Sequence, residues 1–136
     1  MAIYYLQSGF VSRSSGRSSV QSAAYITGAS LHESRRDLDV NYKNRLSDIA
    51  FTNTLAPEHA PQQFHGLGVW DVLENFEDEY AEKRFPKCLE SRDKYLNSAQ
   101  TAQTIVMALP RELDVGAGKE LVEEFAKERF VNRGLI

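Results

Sequence analysis

The chain has 136 residues, 42% of them hydrophobic, and a mean hydropathy of −0.43, which suits one soluble domain with its own core and leaves too little material for several. No apolar run approaches the roughly 18 residues of a membrane helix, and the N-terminus lacks the charged-then-apolar pattern of a secretory leader, so a cytoplasmic protein is expected. The lone Cys88 excludes an intramolecular disulfide and reads as a small packed hydrophobe.

The net charge of −3 is a poor match to a nucleic-acid-binding surface until its distribution is considered. Residues 1–45 carry six basic against three acidic side chains, net +3, whereas residues 46–136 carry ten against sixteen, net −6. The asymmetry suits a local phosphate-binding face and equally an ordinary solvated surface.

In chain order, Ala2 to Val11 reads as an interior strand, with apolar side chains on both faces. Ser18 and Gln21 form a capping-box pattern that starts a helix after the Gly16 turn and ends it near Gly28 to Leu31. At about 100° per residue, Val20, Ala23, Thr27 and Leu31 share one side; Tyr25 falls on the other with Ser18, Gln21, Ser22, Ala29 and His32. His32 to Asp48 is polar and reads as a loop or short hairpin, whose Arg35, Arg36, Lys43 and Arg45 suit a nucleic-acid backbone or plain surface. Ile49 to Leu55 alternates like a second strand, leaving at Pro57 and Pro61. Val69, Trp70, Leu73, Phe76 and Tyr80 then recur at helical spacing, with Trp70 read as a core anchor rather than a base-stacking residue. Pro86 to Leu96 is a further helical stretch, and Thr104 to Leu109 a buried strand ending at Pro110. Asp114 caps a last helix with Leu121, Val122, Phe125, Ala126 and Phe130 on its core side and Gly134 as its stop. The pattern is an α/β (α+β) domain.

A tyrosine among serines, near two arginines and a helix N-terminus, is suited to meeting a phosphate, which makes Arg13, Arg17 and Ser18 candidate phosphate contacts. A phenol also attacks phosphorus if its proton is removed. The same spacing fits a half-buried tyrosine on an amphipathic helix, and the residues alone leave both readings open.

Arg17-Ser-Ser-Val-Gln-Ser-Ala-Ala-Tyr-Ile-Thr-Gly28, preceded by Met1–Tyr5 and Ser12–Ser14, resembles the N-terminus of MobA/MobL-type plasmid mobilisation relaxases. Ala108-Leu-Pro-Arg-Glu-Leu113, the helix holding Glu120–Ala126, and Phe130–Gly134 are similar to the family's later block, and Ile49–Pro61 with Trp70 fits the segment between. The resemblance implies that residues 1–136 are the N-terminal part of one relaxase domain, an antiparallel central sheet packed with helices, incomplete at its C-terminus, with 82–98 an insertion. It implies that Tyr25 cuts one strand of DNA at a transfer origin, forming a 5′-phosphotyrosyl link for conjugative mobilisation. The implied partners are that single-stranded DNA and accessory mobilisation proteins, with no membrane, and an incomplete sheet invites self-association.

Relatives hold a divalent metal, magnesium or manganese, on three histidines that follow the segment matching Phe130 to Gly134. His32, His59 and His65 match none of them and read as surface histidines, so this chain alone is expected to bind no metal. Thr104 stands where relatives commonly place a glutamate base; neither it nor Gln103 titrates near neutrality. The chain alone is therefore expected not to nick DNA, and a non-catalytic DNA-binding module on the same scaffold is the other reading.

Overall fold

The computed structural model describes residues 5–135; the part of the first expected strand at residues 2–4 lies outside them. The chain runs β1 (Leu6–Ser12), α1 (Ser19–Thr27), β2 (Ser30–Glu33), β3 (Leu38–Asn41), α2 (Val69–Arg84), α3 (Leu89–Ser98), β4 (Gln100–Met107) and α4 (Val115–Arg129). Short 3-10 turns at Arg13–Ser15, Ser34–Arg36 and Lys43–Asp48 join the early elements. The fold is mixed α/β with antiparallel pairing. Among the described residues there are two sheets of two strands each, β1 with β4 and β2 with β3.

β1 runs antiparallel to β4 with Gly9 opposite Thr104, and the ladder shifts register between Val11 and Ser12, where the chain leaves for the basic turn. Both strands were expected to be interior. Each instead pairs only with the other among the described residues, and Leu6, Phe10 and Val106 are more than half exposed where no described residue covers the sheet faces they stand on. The polar stretch after His32 is a hairpin, with Leu31 opposite Val40, reversed at Asp37 in the left-handed region.

α1 is pinned at both ends. Ser18 is extended and its hydroxyl accepts the Gln21 N–H at 3.1 Å, while Gly28 (φ 64°) closes the helix by donating to the Ala24 carbonyl. Val20, Ala23 and Ala24 are buried, and these small side chains let α2, through Val69 and Ala81, approach closely. Burial of Val20 alone contributes roughly 1.5–3 kcal/mol. Gly28 is favoured there by its positive φ, and a Cβ would also press on the Ile49 side chain, 2.9 Å from Cδ1.

Ile49 to Leu55, expected as a strand, has no regular structure. Its alternation serves irregular packing: Ile49 meets the Gly28 backbone, Phe51 lies under Lys119 at 5.7 Å, and Asn53 donates to Glu123 at 2.9 Å. One-sided patterning without a neighbouring strand to receive its N–H and C=O groups makes no sheet. Cys88 is exposed rather than packed, its thiol 3.0 Å from the Ser91 hydroxyl at the start of α3. α4 begins as expected, with Asp114 Oδ1 accepting the Ala117 N–H at 2.7 Å. Gly134, in the left-handed region, closes the 3-10 turn that follows α4.

Candidate active site

The N-terminal end of α1 is occupied by the protein's own carboxylates. Glu74, from the middle of α2, is fully buried and accepts the Ser19 N–H and hydroxyl, each at 2.7 Å. Its other oxygen takes Arg13 Nε and Nη2 at 3.1 and 2.9 Å, while Arg13 Nη1 reaches Asp78 at 2.6 Å. Burial resists ionisation of Glu74, but the Ser19 and Arg13 donors outweigh it and hold the carboxyl below its usual range. Beside it Glu33, also fully buried, accepts the Ser18 hydroxyl at 2.6 Å and two N–H groups of Arg36, each at 2.6 Å. Burial opposes ionisation here too, and the Arg36 and Ser18 bonds again hold the carboxyl low.

This geometry commits several of the expected phosphate contacts to partners within the chain. Arg13 is only 5% exposed, with its guanidinium committed to Glu74 and Asp78. Ser18 is fully buried as the helix cap. The anion slot expected to face DNA holds Glu74. Arg36 is bidentate to Glu33, and Arg35 lies 3.4 Å from the same carboxylate. The residues missed in sequence are Glu33 and Glu74. Glu74 sits among the polar positions of an amphipathic helix, 61 residues from Arg13, and nothing local marks it. Arg17, by contrast, is exposed on the rim of a cleft of about 430 Å³ shared with Arg35, Arg36, Asp78 and Asp93, where acidic groups offset much of the basic charge.

The other end of α1 is open. Tyr25 is 50% exposed on the helix face away from Val20 and Ala23. Its ring meets Tyr42 edge-on, with centroids 5.4 Å apart and planes at 89°. The Arg45 guanidinium lies 3.7 Å above the ring centroid, and Nη1 donates a short hydrogen bond to the Tyr25 carbonyl. The structure thus joins Tyr25 to Arg45, while Lys43, on the same turn, is exposed.

Thr104 donates its hydroxyl to the Gly9 carbonyl across the ladder at 3.3 Å. Gln103, not Thr104, lines an apolar cleft of about 510 Å³ with Ile26, Thr27 and Trp70. Trp70 is therefore partly a cleft wall rather than a sealed core anchor. His59 and His65 are exposed, with His65 Nε2 3.0 Å from the Ala60 carbonyl, and His32 pairs with Asp39 at 2.7 Å. Among the described residues no three His, Cys, Asp or Glu side chains stand together as metal ligands, so the residues present do not fit a three-ligand metal site. No helix is long and apolar enough to cross a membrane.

The chain is similar to a probable mobilization protein MobA of Bifidobacterium longum, at 32% identity over 96% of this chain and 20% of that protein. It is also similar to a conjugal transfer protein TraA of Agrobacterium fabrum, at 29% identity over the whole chain and 12% of that protein. It therefore spans a fifth or less of the length of these relatives. A solved structure from a study of the molecular basis of vancomycin resistance transfer in Staphylococcus aureus superposes with a TM-score of 0.75 and 23% identity, over 93% of this chain and 56% of that one. Residues 17–136 match the profile of the MobA/MobL family, a match that takes in α1 with its exposed tyrosine and every later element, and the chain belongs to that family.

Proposed function

We propose that the chain is the tyrosine-bearing part of a relaxase that nicks one DNA strand at a plasmid transfer origin. The observation that carries this reading is Tyr25: half exposed, on the polar face of a helix fixed at both ends, with a guanidinium stacked on its ring. In the step proposed, Tyr25 Oη bonds to phosphorus and the bond from phosphorus to the 3′-oxygen breaks. The products are a 5′-phosphotyrosyl link and a free 3′-hydroxyl, the phenol's proton passing to solvent and solvent returning one to the departing 3′-oxygen. Charge on the phosphate is met by Arg45, with Lys43 and Arg17 as outer contacts. No step is routed through a metal, because the residues present do not fit one.

The test is a covalent-transfer assay with single-stranded oligonucleotides spanning the transfer origin, run on the full reading frame and on these 136 residues. The full protein should form an adduct mapping to Tyr25 and lost in Tyr25→Phe, while the 136 residues alone form none. An adduct that survives Tyr25→Phe, or none from the full protein, overturns the reading. A second reading, a DNA-binding module without chemistry, is favoured by the hydroxyl of Thr104, which is tied to Gly9 and is no base. Salt-dependent binding without any adduct would select it. The free edges of β1 and β4, with Leu6, Phe10 and Val106 exposed, also support self-association of these residues, which light scattering measures directly.

A further inference from the structure

We infer that Arg45 is a positioning residue for Tyr25, holding the phenol in one orientation and presenting its remaining N–H groups to the phosphate that the tyrosine meets. This rests on the tyrosine chemistry proposed above.

The turn that carries Arg45 is fixed to the C-terminal end of α1 without help from the guanidinium. Tyr42 N–H donates to the Ala29 carbonyl at 3.0 Å, and Arg45 N–H donates back to Tyr42 at 2.9 Å. Leu46 and Ile49 close over Gly28. From this base the guanidinium makes two contacts to one residue, its carbon 3.7 Å over the Tyr25 ring centroid and Nη1 on the Tyr25 carbonyl. That carbonyl belongs to the last turn of α1, where no helical N–H reaches it and a cation is favoured by the dipole. The stack adds a cation–π attraction. Tyr42 meets the ring as well, so the phenol is bounded by an aromatic group and a cation.

The other arginines do not have this freedom. Arg13 and Arg36 are neutralised by Glu74 and Glu33, whereas Arg45 spends one donor on a carbonyl and keeps its charge unpaired among the described residues. A guanidinium carries five N–H donors in one plane, so those left over can take a phosphate while its carbon stays over the ring. A lysine supplies charge without a plane, which separates the two roles.

The test compares Arg45→Lys and Arg45→Ala with the parent by two readouts. Nitration of Tyr25 by tetranitromethane, located by peptide mapping, should speed several-fold in both variants, while Tyr80 and Tyr95 keep their parent rates. In the full protein, single-turnover adduct formation at saturating oligonucleotide should fall by about 100-fold for Arg45→Ala. Arg45→Lys should restore binding and leave most of the rate defect. Unchanged nitration in both variants overturns the positioning role, as does a loss confined to affinity with a normal saturated rate, which would make Arg45 only a backbone contact. Absence of an adduct from the parent would instead sink the tyrosine chemistry, and the nitration readout would still decide whether Arg45 holds the ring.

Discussion

The two ends of α1, a helix of nine residues, solve opposite problems with the same residue types. At the N-terminal end, Arg13, Arg36 and two serines are turned inward on two fully buried glutamates, and Arg17 stays on the surface. At the C-terminal end a tyrosine and an arginine face solvent, held by stacking and one carbonyl. The difference teaches that basic residues beside a helix start are no guide to where a ligand binds; what matters is which of them the fold has already paired.

The strongest way to break this contrast is Glu74→Ala. It leaves Arg13 buried with one remaining carboxylate and the Ser19 N–H without its acceptor, so urea unfolding should show a loss of about 3–5 kcal/mol. Acid should reproduce part of that effect without mutation. Both glutamates titrate below the ordinary 4.5 in the folded chain, so their contribution is complete above that pH and disappears as the pH falls through the depressed folded values. Thermal melts from pH 6 to 3 should therefore fall steeply below 4.5, and more shallowly in Glu33→Gln. Ser18→Ala removes the cap and one donor to Glu33, for about 1–2 kcal/mol in the same urea assay. At the other end, Tyr25→Phe should shift stability by less than about 0.5 kcal/mol while abolishing any adduct. A Tyr25→Phe protein as unstable as Glu74→Ala would erase the distinction between the two ends.

Local chemistry was readable from sequence. The Ser18 cap, the Gly28 stop, the Asp114 cap and the outward face of Tyr25 all depend on residues within one or two turns of each other. Arg13 was misplaced because its partners come from α2, and a carboxylate on a helix looks the same in sequence whether it faces water or an arginine. Ile49 to Leu55 had the right alternation for a strand and the wrong surroundings. The stacking of Arg45 on Tyr25 was out of reach for a related reason: it depends on how the hairpin of β2 and β3 folds back along α1, which no periodicity encodes.

The ion pairs of Arg13 also set an order of events during synthesis. A ribosome delivers this chain from its N-terminus, so the turn at Arg13–Ser15 and the whole tyrosine helix emerge well before Glu74 and Asp78. Until α2 follows, Arg13 has neither carboxylate and the Ser19 N–H lacks its acceptor. A helix of nine residues is marginal in water by itself. Nascent chains stalled before residue 74 should accordingly leave this segment open to protease, and those stalled after α2 has cleared the exit tunnel should protect it. The tyrosine reaches its final setting only after α2 has been made.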